Sequence, residues 1–105
     1  MALERLQARV AEFVKKHGLE TDVEARLLDL VSEVGELSKE ALKSSSYGKS
    51  GFKSTDEWAS ELGDAFFSLL ALANETDVDA EVALDGALRK YERRLSEKGG
   101  AGSGS

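Results

Sequence analysis

Cysteine and proline are both absent from this 105-residue chain, and histidine occurs once, at His17. Without cysteine there is no disulfide framework, no zinc finger and no iron–sulfur cluster. A single histidine likewise excludes a histidine-rich transition-metal site. Any resident cation must then be held by oxygen, which suits magnesium, manganese or calcium. No run approaches the roughly 18–20 apolar residues needed to cross a bilayer. The opening MALERLQARV lacks the apolar centre of a secretory leader, so a cytoplasmic location is expected. Positive charge is also scarce: 14 lysines and arginines against 20 acids leave a net charge of −6. Nucleic-acid backbone and anionic membrane both call for a cationic surface, so neither is an expected partner.

What is present is helical periodicity. Hydrophobic residues form 41% of the chain and charged residues 32%, too apolar a mixture for disorder. Leu3, Leu6, Val10, Phe13 and Val14 recur at three- and four-residue spacing, which predicts a helix over Leu3–His17 stopped by Gly18. Thr21 followed by Glu24 has the capping-box pattern and opens a second helix, from about Asp22 to Lys43. Its expected buried stripe is Leu27, Leu30, Val31, Val34, Leu37 and Ala41. The serine- and glycine-rich stretch 44–54 reads as a loop. Ser54 with Glu57 repeats the capping box before a third helix reaching about Asn74, and Thr76 or Asp77 caps a fourth that ends near Leu95. No strand-like alternation appears. The expected fold class is all-α, with four principal helices in a single domain over residues 1–96. Residues 97–105, EKGGAGSGS, read as a flexible Gly/Ser tail of a composition that cloning also leaves behind.

Carboxylates carry the chemistry. Glu33 and Glu36 lie three apart on the second helix, and Glu61 and Asp64 repeat that spacing on the third. Residues three apart share a helix face, so each pair aims two carboxylates one way, and two facing pairs would make a divalent-cation site. On the second helix alone, Asp29, Glu33, Glu36 and Glu40 also read as a solvated acidic face, relieved by Lys39 and Lys43. The third helix changes the weighting. From Leu62 to Ala73 it is apolar nearly all round, a pattern expected to be buried, and an acid such as Asp64 placed there needs a partner, a proton or a metal.

Three segments, SEVGELSKE at 32–40, SELGDAFFSLLALANE at 60–75 and ALRKYERRL at 87–95, resemble the MazG-like nucleoside triphosphate pyrophosphohydrolases. That family carries EExxE on one helix and ExxD on the next. The resemblance implies an all-α, magnesium-dependent enzyme, with manganese as a substitute, assembled as a homodimer or homotetramer. Its reaction would convert a nucleoside triphosphate to the monophosphate and pyrophosphate, in nucleotide-pool house-cleaning. Carried over by position, Glu33, Glu36, Glu61 and Asp64 become the metal ligands, with Glu33 or Glu36 orienting or deprotonating the attacking water. The first acid of the family's motif is replaced by Ser32. Candidate substrate contacts are Lys49 and Lys53 in the loop, Asn74, and Lys90, Tyr91, Arg93 and Arg94 near the end of the fourth helix. Tyr47 and Phe52 in the loop and Trp58 just beyond it are candidates for base recognition, with Trp58 expected in the core; His17 receives no catalytic role. The competing reading is a non-catalytic helical module whose acidic stripe binds calcium or a basic partner.

Overall fold

The computed structural model describes residues 2–98. Four helices follow in order: α1 (Leu3–Lys16), α2 (Val23–Ser44), α3 (Asp56–Glu75) and α4 (Ala80–Lys98). Among the described residues there are no strands. α4 thus runs past the expected end at Leu95, and the rest of the expected tail lies outside the described residues.

The helix ends explain where the chain turns. α1 closes with Gly18 at φ +63°, while the Leu19 N–H donates to Val14 O over 2.9 Å, a Schellman stop at the predicted glycine. α2 and α3 stop by the same geometry without glycine. Ser46 (φ 50°) and Asp77 (φ 56°) take the left-handed position, with Tyr47 N–H on Leu42 O at 2.7 Å and Val78 N–H on Ala73 O at 2.9 Å. The N-caps each fall beside the expected residue. Asp22, rather than Thr21, caps α2 by accepting from Ala25 N–H at 2.8 Å. Asp79, rather than Thr76 or Asp77, accepts from Glu81 and Val82 N–H at the start of α4. Thr55, rather than Ser54, stands at the N-cap of α3, and its side chain is engaged elsewhere.

α2 and α3 form the most extensive packing in the chain, as an antiparallel hairpin. α1 lies against α3, and α4 rests mainly on α1. Among the described residues only Val14, Leu70 and Ala71 are buried apolar side chains. The expected stripe of α2 is therefore corrected: Leu27, Val31 and Val34 are exposed, and only Leu30, Leu37 and Ala41 are half-buried. α3 is not enclosed either, with Leu62, Phe66 and Leu69 each close to half exposed. Trp58 is half-buried, set edge-on to Phe52 with ring centroids 5.0 Å apart. Leaving an apolar side chain of this size half exposed forgoes about 1 kcal/mol. Phe66 marks the centre of this open surface, lining three apolar grooves of 370, 530 and 520 Å³.

Candidate metal centre

The periodicity that makes α2 and α3 helices also lays their acids along the seam between them. Glu33 on α2 and Glu61 and Asp64 on α3 each offer a carboxylate oxygen, all within 4.8 Å of one another. Two oxygens bound to one magnesium lie at most about 4.2 Å apart, so a small closing rotation suffices to share an ion. Glu33 and Glu61 are half-buried and Asp64 is exposed at the mouth, which corrects the expectation that Asp64 sits in a dry interior.

Two observations bear on what fits there. Glu61 Oε2 is sealed from solvent and has no hydrogen-bond partner. Among the described residues no lysine or arginine forms a salt bridge with any of the three acids. Burial of Glu61 raises its carboxyl above the ordinary carboxylate range, and the charges of Asp64, Glu36, Glu33 and Glu40 add to that rise. Its two oxygens differ: one is shut in while the residue as a whole keeps a solvent edge. A cluster of oxygen donors whose charges repel and whose innermost atom lacks a donor suits a hard divalent cation, and the three acids fit that role.

The remaining predicted residues are more dispersed. Glu36 is not in the converging trio; its side chain is exposed and reaches Lys39 at 4.0 Å, though its charge is felt by Glu61. Lys49 and Lys53 are exposed on the loop between α2 and α3. The Asn74 amide donates to the backbone oxygen of Gln7 at 3.1 Å, which gives it a place in α1–α3 packing. On α4, the Lys90 Nζ and the Arg94 guanidinium lie 5.6 and 5.9 Å from the Tyr91 ring centroid. Among the described residues no hydrogen bond joins these three to the acids, so within one chain they form a separate cationic-aromatic patch.

Sequence reasoning passed over the buried Arg26 and Gln7 and took Glu40 for part of a solvated acidic face. Arg26 donates to Glu75 Oε2 at 2.9 Å and to Leu19 O at 2.8 Å. Glu40 accepts the Thr55 hydroxyl. Gln7 donates to Val78 O at 2.7 Å and accepts from Ala80 N–H at 2.9 Å, while Ser68 is buried within α3. One signal was available: Arg26, Glu33 and Glu40 are seven residues apart, two turns each, and so share one line along α2.

Fold and site together define an all-α protein whose central helix pair carries a cluster of acidic oxygen donors with the spacing to hold a metal ion. The MazG nucleotide pyrophosphohydrolase domain matches residues 21–97, and the chain belongs to that family. It is 34% identical over 77 residues to the uncharacterized protein YpjD of Bacillus subtilis (strain 168), a match covering 70% of this chain and 68% of that protein. The crystal structure of the putative pyrophosphatase YpjD from Bacillus subtilis is similar with a TM-score of 0.74 and 28% identity, over 90% of this chain and 96% of that one. Among the described residues no helix is long and apolar enough to cross a membrane.

Proposed function

We propose that this protein is a magnesium-dependent nucleoside triphosphate pyrophosphohydrolase, releasing a nucleoside monophosphate and pyrophosphate in clearance of the nucleotide pool. The observation that carries this reading is the convergence of Glu33, Glu61 and Asp64 with the unpartnered Glu61 oxygen among them. Membership of a nucleotide pyrophosphohydrolase family supports it. A triphosphate brings about four negative charges, so bare carboxylates would repel it. A bound divalent cation would reverse that sign and stabilise charge on the phosphate oxygens and the leaving pyrophosphate. Glu33, Glu61 and Asp64 would hold the cation. Glu36, exposed beside them, would orient the water that attacks the α-phosphorus or take up its proton. Lys49, Lys53, Lys90, Tyr91 and Arg94 would contact phosphates or base, and Asn74 would act from the end of α3.

The same reading includes self-association as a homodimer or homotetramer. Its support is the thin core: three buried apolar side chains among the described residues, against a groove-lined face centred on Phe66. Covering that face would supply the burial a single copy lacks. A monomeric mass in solution by light scattering would remove this part.

The test of the activity is a panel of ribo- and deoxynucleoside triphosphates incubated with magnesium, with products separated by chromatography. Monophosphate and pyrophosphate in equal amounts are expected, with manganese sustaining the reaction and chelation stopping it. Diphosphate with free phosphate would point to cleavage at the wrong anhydride, and no turnover across the panel would favour a non-catalytic acidic module.

A further inference from the structure

We infer that Thr55 and Glu40 form a positioning pair that sets the register of α2 against α3 and so holds the metal carboxylates in place. The inference rests on the proposed metal centre and goes beyond it by assigning a role to residues that contact neither metal nor substrate. Its counterpart at the far end of the hairpin is Arg26 with Glu75.

Apolar packing by itself leaves the register of two helices open. Contacts between the facing sides of α2 and α3 are non-directional, and a helix advances 1.5 Å and turns 100° per residue. A shift of one residue would therefore scatter a trio of oxygens that now lies within 4.8 Å. Directional bonds prevent such a shift, and they are found at both ends of the hairpin. Arg26, only 5% exposed, ties the start of α2 to the end of α3. Glu40, 6% exposed, ties the last turns of α2 to the start of α3 through the Thr55 hydroxyl. Glu33 lies midway, two turns from each tie.

Thr55 also sits where a side chain ordinarily caps its own helix, and it makes no such bond. Its hydroxyl serves Glu40 instead. A buried carboxylate needs a donor, so the pair is fixed by the desolvation of Glu40 as well as by geometry. Next to it, Lys53 N–H donates to Ser44 O at 2.7 Å, which anchors the loop to the same end of α2.

Thr55→Val keeps the shape and every charge while removing the hydroxyl, and Thr55→Ser restores a hydroxyl. Binding of Mn²⁺ to each purified, folded protein is measured by electron paramagnetic resonance, alongside the Mg²⁺ dependence of pyrophosphate release. The Mn²⁺ dissociation constant of T55V is expected to rise on the order of tenfold, with the Mg²⁺ requirement moving in parallel, and T55S to stay within about twofold of the parent. Glu40→Gln keeps an acceptor oxygen for Thr55 and should remain within about threefold. Unchanged Mn²⁺ affinity in helical, folded T55V overturns the inference, since a merely stabilising pair would lower the melting temperature and leave affinity alone. A loss in E40Q equal to that in T55V also overturns it, by assigning the effect to the charge of Glu40. Should the parent protein bind no Mn²⁺, the metal centre itself falls. Should the parent bind and turn over while the variants match it, only the positioning role falls.

Discussion

The α2–α3 hairpin and α4 are built to different standards. The hairpin is tied at both ends by buried polar bonds, Arg26 to Glu75 and Thr55 to Glu40, with the acidic centre between them. α4 rests mainly on α1, through a few polar contacts at its first turn: Gln7 to Val78 and Ala80, and Glu81 Oε1 accepting from Glu4 N–H at 3.2 Å. Along its length the apolar residues Val82, Leu84, Leu88 and Leu95 are all exposed. The difference teaches where one chain suffices. Carboxylates that are to share an ion, as proposed for these, would need their helices fixed to a fraction of an ångström, whereas a helix whose apolar face is open needs only to be aimed.

The largest effect is expected inside the hairpin. Glu61→Gln removes one charge from the centre at constant size and should lower turnover on the order of a thousandfold. The same change should raise the melting temperature of the metal-free protein. Glu61 is shifted upward, so the folded chain holds its proton more tightly than the unfolded chain does. Stability therefore falls as pH climbs from the ordinary value of 4.5 through the raised one, and the glutamine variant escapes that loss. Below pH 4.5 the advantage should vanish. Metal affinity should run the other way, weakening as pH falls through the same window. A less stable apo E61Q at neutral pH would mean that the carboxylate is satisfied and that the centre has no need of a cation.

Arg26→Met tests the tie at the hairpin's far end. The methionine keeps much of the stem but leaves Glu75 without its partner, where the two side chains are only 6% and 17% exposed. Loss of one member of so enclosed a pair should cost about 3 kcal/mol in urea unfolding. A loss under about 1 kcal/mol would show that Glu75 reaches water easily, and that this end of the hairpin is no better fixed than α4.

How much of this could be read from the residues depends on which force decides each feature. Four helices were legible because three- and four-residue spacing of Leu3, Leu6 and Val10, and of Leu30, Val34 and Leu37, has no other regular solution. The caps were displaced by one to three residues because Thr21 and Asp22, or Asp77 and Asp79, are interchangeable as local signals. Thr55 escaped notice because its hydroxyl answers a carboxylate fifteen residues away. Burial was the least legible. Leu27, Val31 and Val34 have the periodicity of a core stripe and are exposed, because periodicity does not say whether the rest of the chain reaches over them. At the centre, the paired spacings did place Glu33, Glu61 and Asp64 together. Whether Glu36 joined them depended on the rotation of α2 against α3, which a motif does not encode.

Gln7→Leu probes the other side of the comparison. It removes the acceptor of Ala80 N–H and the donor to Val78 O, and should destabilise the protein by about 1–2 kcal/mol. The informative measurement is local. Hydrogen exchange should quicken in the first turns of α4 while amides in the middle of α2 and α3 keep their protection. Equal loss of protection in both regions would show that α4 and the hairpin unfold as one unit, and the contrast between them would dissolve.

The smallest effect sits at the joint between the two regions. Asp77 adopts φ 56°, a left-handed conformation that L-residues with a side chain enter at some cost, although aspartate tolerates it better than most. Glycine would remove that strain but also gains freedom in the unfolded chain, which offsets roughly 0.5–1 kcal/mol. The two terms nearly cancel, and Asp77→Gly should stabilise by about 0.5 kcal/mol with turnover unchanged. The sign matters more than the size. Val78 N–H must still reach Ala73 O for α3 to stop and α4 to leave in its present direction, and glycine permits that bond equally well. A stabilised variant with normal protection in α4 would mean that backbone geometry alone aims this helix. A destabilised one would mean that the carboxylate of Asp77 contributes, and that α4 is held more firmly than its few contacts with α1 suggest.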